Sequence, residues 1–167
     1  DCYVTEYTTP DNWNHFWFII LANSYFLHSS DTSTIQQLMP VLEKSVQMTL
    51  QNKKADDLMY ASRPDWWDIG NLTGARAYVT ILMIKALQDF SALKTQLTPG
   101  DDVSGYLDTA KRMTLQLENI LWSEESGYLL NMLDPVNIDQ HFYAGSLVAA
   151  AFQTLSNEKS RQLIETA

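Results

Sequence analysis

The stretch Arg63-Pro64-Asp65-Trp66-Trp67-Asp68-Ile69-Gly70 sets two carboxylates around two indoles, in a segment whose proline and glycine keep it out of regular helix. Flat apolar ring faces beside acids are what a sugar-binding cleft needs: surfaces for pyranose rings, and carboxylates for hydroxyl contacts or proton transfer. Paired tryptophans beside acids also occur as loop residues that plug a core. The segment by itself leaves both uses open.

Six helical segments can be read around it. Asn12 to His28 is apolar nearly all round, with Phe16, Trp17, Phe18, Ile19, Ile20 and Leu21 in succession. Thr32 to Gln51 carries one stripe of Ile35, Leu38, Met39, Leu42 and Val46; Asp31 is placed to cap it, and Pro40 should kink it or mark a later start. Thr73 to Lys94 is again apolar, Asp102 to Trp122 striped, Asp139 to Leu155 apolar and rich in small residues, and Glu158 to Thr166 amphipathic. The odd-numbered helices start near 12, 73 and 139, a loose repeat of about 60–65 residues. A helix greasy on all sides is buried on both, whereas a striped one lies outside. A two-layered arc of helical hairpins follows, with an irregular bundle as the plainer alternative.

The connections are unequal. Those after the odd helices are compact, Ser29-Ser30 and Thr95 to Gly100. Those before them are long and chemically rich: Thr5-Glu6-Tyr7 with Asp11-Asn12-Trp13, then Asp56 to Asn71, then Glu124 to Asp139. Parallel inner helices place all three at one end, beside the positive ends of the helix dipoles. Each further candidate there has a structural alternative. Glu6 is either a cleft acid or a solvated one. Trp13 is either a sugar platform or core beside Phe16 and Trp17. Arg63 either contacts a hydroxyl or pairs with Asp65. Arg76, expected in the first turn of the third helix, either binds substrate or holds a loop carboxylate. His141 is a cleft residue or makes a helix-start hydrogen bond.

Composition narrows the classes. At 46% hydrophobic and 19% charged residues, the 167-residue chain suits one folded domain. A net charge of −9 argues against nucleic acid, whose phosphates need a basic surface. No lysine or arginine cluster marks a membrane patch, and the apolar run from His15 to Leu27 is too short to span a bilayer. One cysteine, Cys2, and three scattered histidines offer neither an internal disulfide nor zinc-type spacing. Asp101-Asp102 after Pro99-Gly100 reads as helix capping rather than calcium binding, so no metal or cofactor is expected. Asn71-Leu72-Thr73 fits the glycosylation pattern, and the compartment stays open.

Three stretches resemble the six-hairpin, (α/α)6-barrel glycosidase superfamily, with its trehalase-like, glucoamylase-like and rhamnosidase-like members. They are Phe26 to Val46 (FLHSSDTSTIQQLMPVLEKSV), Asp65 to Leu93 with its acidic-tryptophan loop and buried helix, and Leu121 to Leu155 (LWSEESGYLLN…HFYAGSLVAAAF). The resemblance implies an all-α fold of helical hairpins forming about half of an (α/α)6 toroid. It also implies a carbohydrate substrate and inverting hydrolysis by an acid and a base. Trehalase-like members carry the general acid in a glycine-tryptophan-aspartate context before an inner helix. Trp67-Asp68 is the local match, which implies Asp68 as the acid, its pKa raised by Trp66 and Trp67, with Asp65 next. The loop here reads Pro-Asp-Trp-Trp-Asp-Ile-Gly instead. An inverting pair stands roughly 6.5–9.5 Å apart across the sugar. Asp65 and Asp68 are too close in sequence to be taken as that pair, and the resemblance puts the second carboxylate beyond Ala167. A start at Asp rather than Met, and an end inside a helical segment, lead to the expectation of a piece of a longer or processed protein. Its open lateral faces would favour self-association. Phosphorylases and epimerases share the superfamily, and a non-catalytic sugar- or protein-binding domain is the other class.

Overall fold

A computed structural model describes residues 13–61, 74–134, 138–140 and 144–167, the side chain of Asp139 excepted. Helix α1 (Asn14–Ser29) ends where Ser30 turns left-handed, at φ 56°, and its N–H bonds the Phe26 carbonyl at 2.8 Å. Asp31 then opens α2 (Thr32–Leu50), accepting from the Thr34 N–H at 3.0 Å as its position led us to expect. So short a connection folds the two helices into a hairpin. Ile35, Leu42 and Val46 form the buried stripe of α2. Pro40 neither delays nor ends the helix: it lies on the exposed face, where the carbonyl it cannot bond is open to water.

Two short strands, β1 (Tyr60–Ala61) and β2 (Gly74–Arg76), precede α3 (Ala77–Leu97). The third helix therefore starts at Ala77, not Thr73, because strand pairing claims the residues before it. Ile81, Leu82, Met83 and Ile84 are consecutive and all fully buried, so α3 is enclosed on every side. In α4 (Ser104–Ile120) only the stripe Ala110, Met113 and Leu117 is buried, which makes it an outer helix. Near the end of α3, Lys94 meets Glu43 of α2 at 3.1 Å and Asp101 at 3.4 Å, while Tyr106 of α4 donates to Glu43 at 3.2 Å. The Glu43 hydrogen bond raises the Lys94 pKa, and the cluster fastens three helices at one end.

Helices α1 and α3 run the same way. Trp17, early in α1, and Lys85 both meet Phe152, whereas the later Asn23 donates to the later Asp89 at 2.8 Å. Lys85 also bonds Asp89, at 2.6 Å. Burial raises the Asp89 pKa, and the bonds from Lys85 and Asn23 oppose that shift only in part. Because its folded pKa lies above the ordinary aspartate value, the fold resists ionising Asp89. The contribution of this group to stability is therefore greatest below that value and declines as pH rises through the folded pKa. Asp89→Asn should remove that decline. Urea unfolding from pH 3 to 6 should show the wild type losing ground relative to the variant as pH rises, and parallel curves would contradict this.

The last third of the chain holds the hairpin β3 (Trp122–Ser123) and β4 (Tyr128–Leu129), closed through Gly127 at φ 64°. Strands β5 (Met132–Leu133) and β6 (Ile138–Asp139) follow. A 3-10 turn (Ala144–Leu147), α5 (Val148–Ala151) and α6 (Asn157–Thr166) complete it. The helix expected from Asp139 to Leu155 is thus much shorter. Pairing with β5 holds Asp139 in a strand, and at the far end Gln153 turns left-handed, at φ 55°, while the Thr154 N–H returns to the Ala149 carbonyl. The layering is otherwise as read: α1, α3 and the 3-10/α5 segment inside, α2, α4 and α6 outside. Unlike α3, α1 is open on one side. Leu21 is 62% exposed and Leu27 64%, and a groove of about 470 Å³ beside Trp17, Phe18, Leu21 and Val41 runs between α1 and α2.

Candidate functional site at the roots of two hairpin connections

The end of the molecule where α1 and α3 begin is organised by one small sheet, in the order β1-β2-β5-β6 with every pair antiparallel. Ala61 opposite Gly74 closes β1 on β2, and Leu133 opposite Ile138 closes β5 on β6. Residues 62–73, the acidic-tryptophan segment, are the connection between the first pair. Since β2 and β5 are antiparallel, the chain entering β2 and the chain leaving β5 lie at the same edge. Both connections therefore spring from one root.

That root is tied firmly to α3. The Arg76 N–H bonds the Met59 carbonyl at 3.0 Å, and the Met59 N–H bonds Thr80 Oγ1 at 3.1 Å. The Thr80 hydroxyl donates back to the Arg76 carbonyl at 2.7 Å, and the Ala77 N–H reaches the Asn131 carbonyl at 3.2 Å. Gly74 sits at φ 112°, and a Cβ there would lie 2.8 Å from Asp134 Cβ and 3.0 Å from the Leu133 carbonyl oxygen. Only glycine suits both the backbone and the contact.

Two of the sequence-derived site residues fall among the described residues. Arg76 is fully buried, at the last position of β2 rather than inside the helix, with φ −124° and ψ 128°. Trp13 is half-buried at the start of α1, and Phe16 takes one face of its indole, centroids 5.9 Å apart and rings within 11° of parallel. Both stand at the end where the inner helices begin. Asp65, Asp68, Trp66, Trp67, Arg63, Glu6 and His141 lie outside the described residues. Sequence reading passed over Asp134, half-buried on β5–β6 against Gly74. Its signal is a cross-strand register between positions sixty residues apart, which no local pattern carries.

Among the described residues no group of three or more His, Cys, Asp or Glu could hold a metal ion, and no helix is long and apolar enough to cross a membrane. The site as described offers a buried guanidinium, a carboxylate and backbone hydrogen-bonding groups on a rigid root. That is a frame for holding polar groups in register.

Parallel inner helices, outer helices packed over them and two connection roots joined in one sheet define a class of architecture: this is a portion of an (α/α)6 helical toroid. Solved structures agree. A family GH78 rhamnosidase of Bacillus sp. GL1 superimposes with a TM-score of 0.79 at 16% identity, over 90% of this chain and 16% of that one. A rhamnosidase from Klebsiella oxytoca with rhamnose bound gives 0.73 at 16% identity, over 90% of this chain and 29% of that one. In sequence, the chain is 26% identical over 132 residues to N,N'-diacetylchitobiose phosphorylase from Vibrio proteolyticus, an alignment covering 72% of this chain. It spans 16% of that relative's length. No protein-family model matches the chain.

Proposed function

We propose that the chain is a helical-hairpin portion of a larger carbohydrate-active catalytic domain, in which carboxylates act on a glycosidic bond. One observation carries this reading: the acidic-tryptophan connection and the β5–β6 connection spring from a common root above the start of the buried inner helix. The relatives' names support it, since a chitobiose phosphorylase and two rhamnosidases all handle sugars. Asp68 is the general acid of this reading, Asp65 its neighbour for a substrate hydroxyl, and Trp66 and Trp67 are the platforms. Glu6, Trp13, Arg63 and His141 complete the binding surface, and the fully buried Arg76 takes the other role open to it, holding the loop from beneath. Hydrolysis with inversion is the reaction we assign, water being activated by a carboxylate that the rest of the domain supplies.

Tryptophan fluorescence tests the reading. Titration of the chain with oligosaccharides should give a saturable change that Trp66→Ala or Trp67→Ala abolishes. A flat response to every sugar would point instead to a non-catalytic module. The apolar groove between α1 and α2 adds a second expectation, because exposed apolar surface of this kind favours association. Light scattering on the isolated chain should show dimers or larger species, and Leu21→Lys should shift them toward monomer. A wild type that stays monomeric at high concentration would refute it.

A further inference from the structure

We propose that the open flank of the α1–α2 hairpin is the seat of a further hairpin of the same toroid, whose apolar inner helix runs parallel to α1 and covers Trp17, Phe18, Leu21 and Tyr25. The inference rests on the reading of this chain as a portion of a larger domain. It adds which face is covered, and by what.

The composition of α1 asks for a cover. Trp17, Phe18, Leu21 and Tyr25 recur at three- and four-residue spacing, so they share one side of the helix. Phe16, Ile19 and Ala22 lie on the other side and are buried. A helix apolar on both sides is built to be enclosed. Here one side is not. Leu21 and Tyr25 are exposed, and so is Val41 of α2 across the groove of about 470 Å³. The Tyr25 hydroxyl already donates to Asp31 at 2.8 Å, so its ring is the surface it offers.

The molecule contains the answering arrangement once. Helix α3 is apolar all round like α1, and it is enclosed because neighbours stand on both flanks, α1–α2 on one and the 3-10/α5 segment on the other. Its contact with α1 shows how neighbours in this ring meet: two inner helices side by side, pointing the same way, with Asn23 of one against Asp89 of the other. Asn23 stands two residues from Leu21, about 200° around the helix, so the open flank is the one turned away from α3. One more step of the same repeat, taken away from α3, sets an inner helix on that flank. Both rhamnosidase chains extend well past the portion matched here, which gives such a hairpin its source.

Thiol labelling reads the cover directly. With Cys2 replaced by serine, Leu21→Cys is placed in the isolated chain and in the complete catalytic domain, and each is reacted with an aromatic disulfide. We expect labelling about 100-fold slower in the complete domain than in the dilute isolated chain, the protection a locally closed structure gives. Gln47→Cys, at an exposed position of α2, should react alike in both. Tyr25→Cys, on the same side as Leu21, is read by the same criterion if the Leu21→Cys domain fails to fold. Equal rates in chain and domain overturn the seat. So does protection of the domain that fades with its dimers on dilution, because a second copy is then the cover. The complete domain is titrated alongside with N,N'-diacetylchitobiose and with rhamnose. Sugar binding with an unprotected thiol leaves the carbohydrate reading standing without the seat, and protection with no saturable sugar response does the reverse.

Discussion

Asp68→Asn in the complete catalytic domain should lower turnover of an unactivated glycoside by about 10²- to 10⁴-fold, the span typical of general acid–base catalysis. The loss should depend on the leaving group. A sugar or alkyl alcohol needs a proton as the glycosidic bond breaks, whereas an activated aryl alcohol departs as an anion. An aryl glycoside with an acidic phenol should therefore lose far less in the variant. KM for both substrates should change little if Asp68 acts only in the transition state. Asp65→Asn should show the opposite pattern, raising KM for both substrates without regard to the leaving group. If Asp65→Asn shows the leaving-group dependence and Asp68→Asn does not, the two roles are exchanged. Equal, undiminished turnover in both variants would remove the segment from catalysis altogether.

Arg76→Met should destabilise the chain by about 3–5 kcal/mol, read as the shift in a urea unfolding curve. Methionine fills the volume of the arginine stem without its charge. The guanidinium is fully buried at the junction of β2 and α3, and a charge taken out of water is kept only with compensating groups around it. Removing it leaves the groups that compensate it buried and unsatisfied, and that desolvation cost sets the size of the loss. The backbone links of the same residue, to Met59 and through Thr80, survive the substitution, so the loss isolates the side chain. A change under about 0.5 kcal/mol, the size of an ordinary surface substitution, would mean that the guanidinium is not held by charged or polar groups.

Much of the helical frame is legible from periodicity and caps. The stripe of α2, its Asp31 cap and the uniformly apolar α3 are local patterns, each written in a few neighbouring residues. The sheet is not, since its strands are two or three residues long and give alternation no room to show. Its pairings also join segments from different hairpins, such as Ala75 with Leu133. That is why periodicity carries the third helix back to Thr73 and the fifth back to Asp139. Arg76 could be singled out because a charge at the head of a greasy helix needs a reason. Asp134 could not, because its importance comes from facing Gly74 across the ladder.

The common root has an evolutionary corollary. Among the described residues, the Met59–Thr80 link and the β2–β5 pairing fasten it below the points where the two connections depart. Beyond those points run connections, the part of a fold where insertions, deletions and exchanges are tolerated most readily. A lineage carrying this frame can thus try new recognition surfaces in two places while keeping one inherited foundation. The two surfaces do not drift apart in space, because a single ladder fixes the distance between their bases. Selectivity is free to diversify, and the scaffold is not obliged to follow.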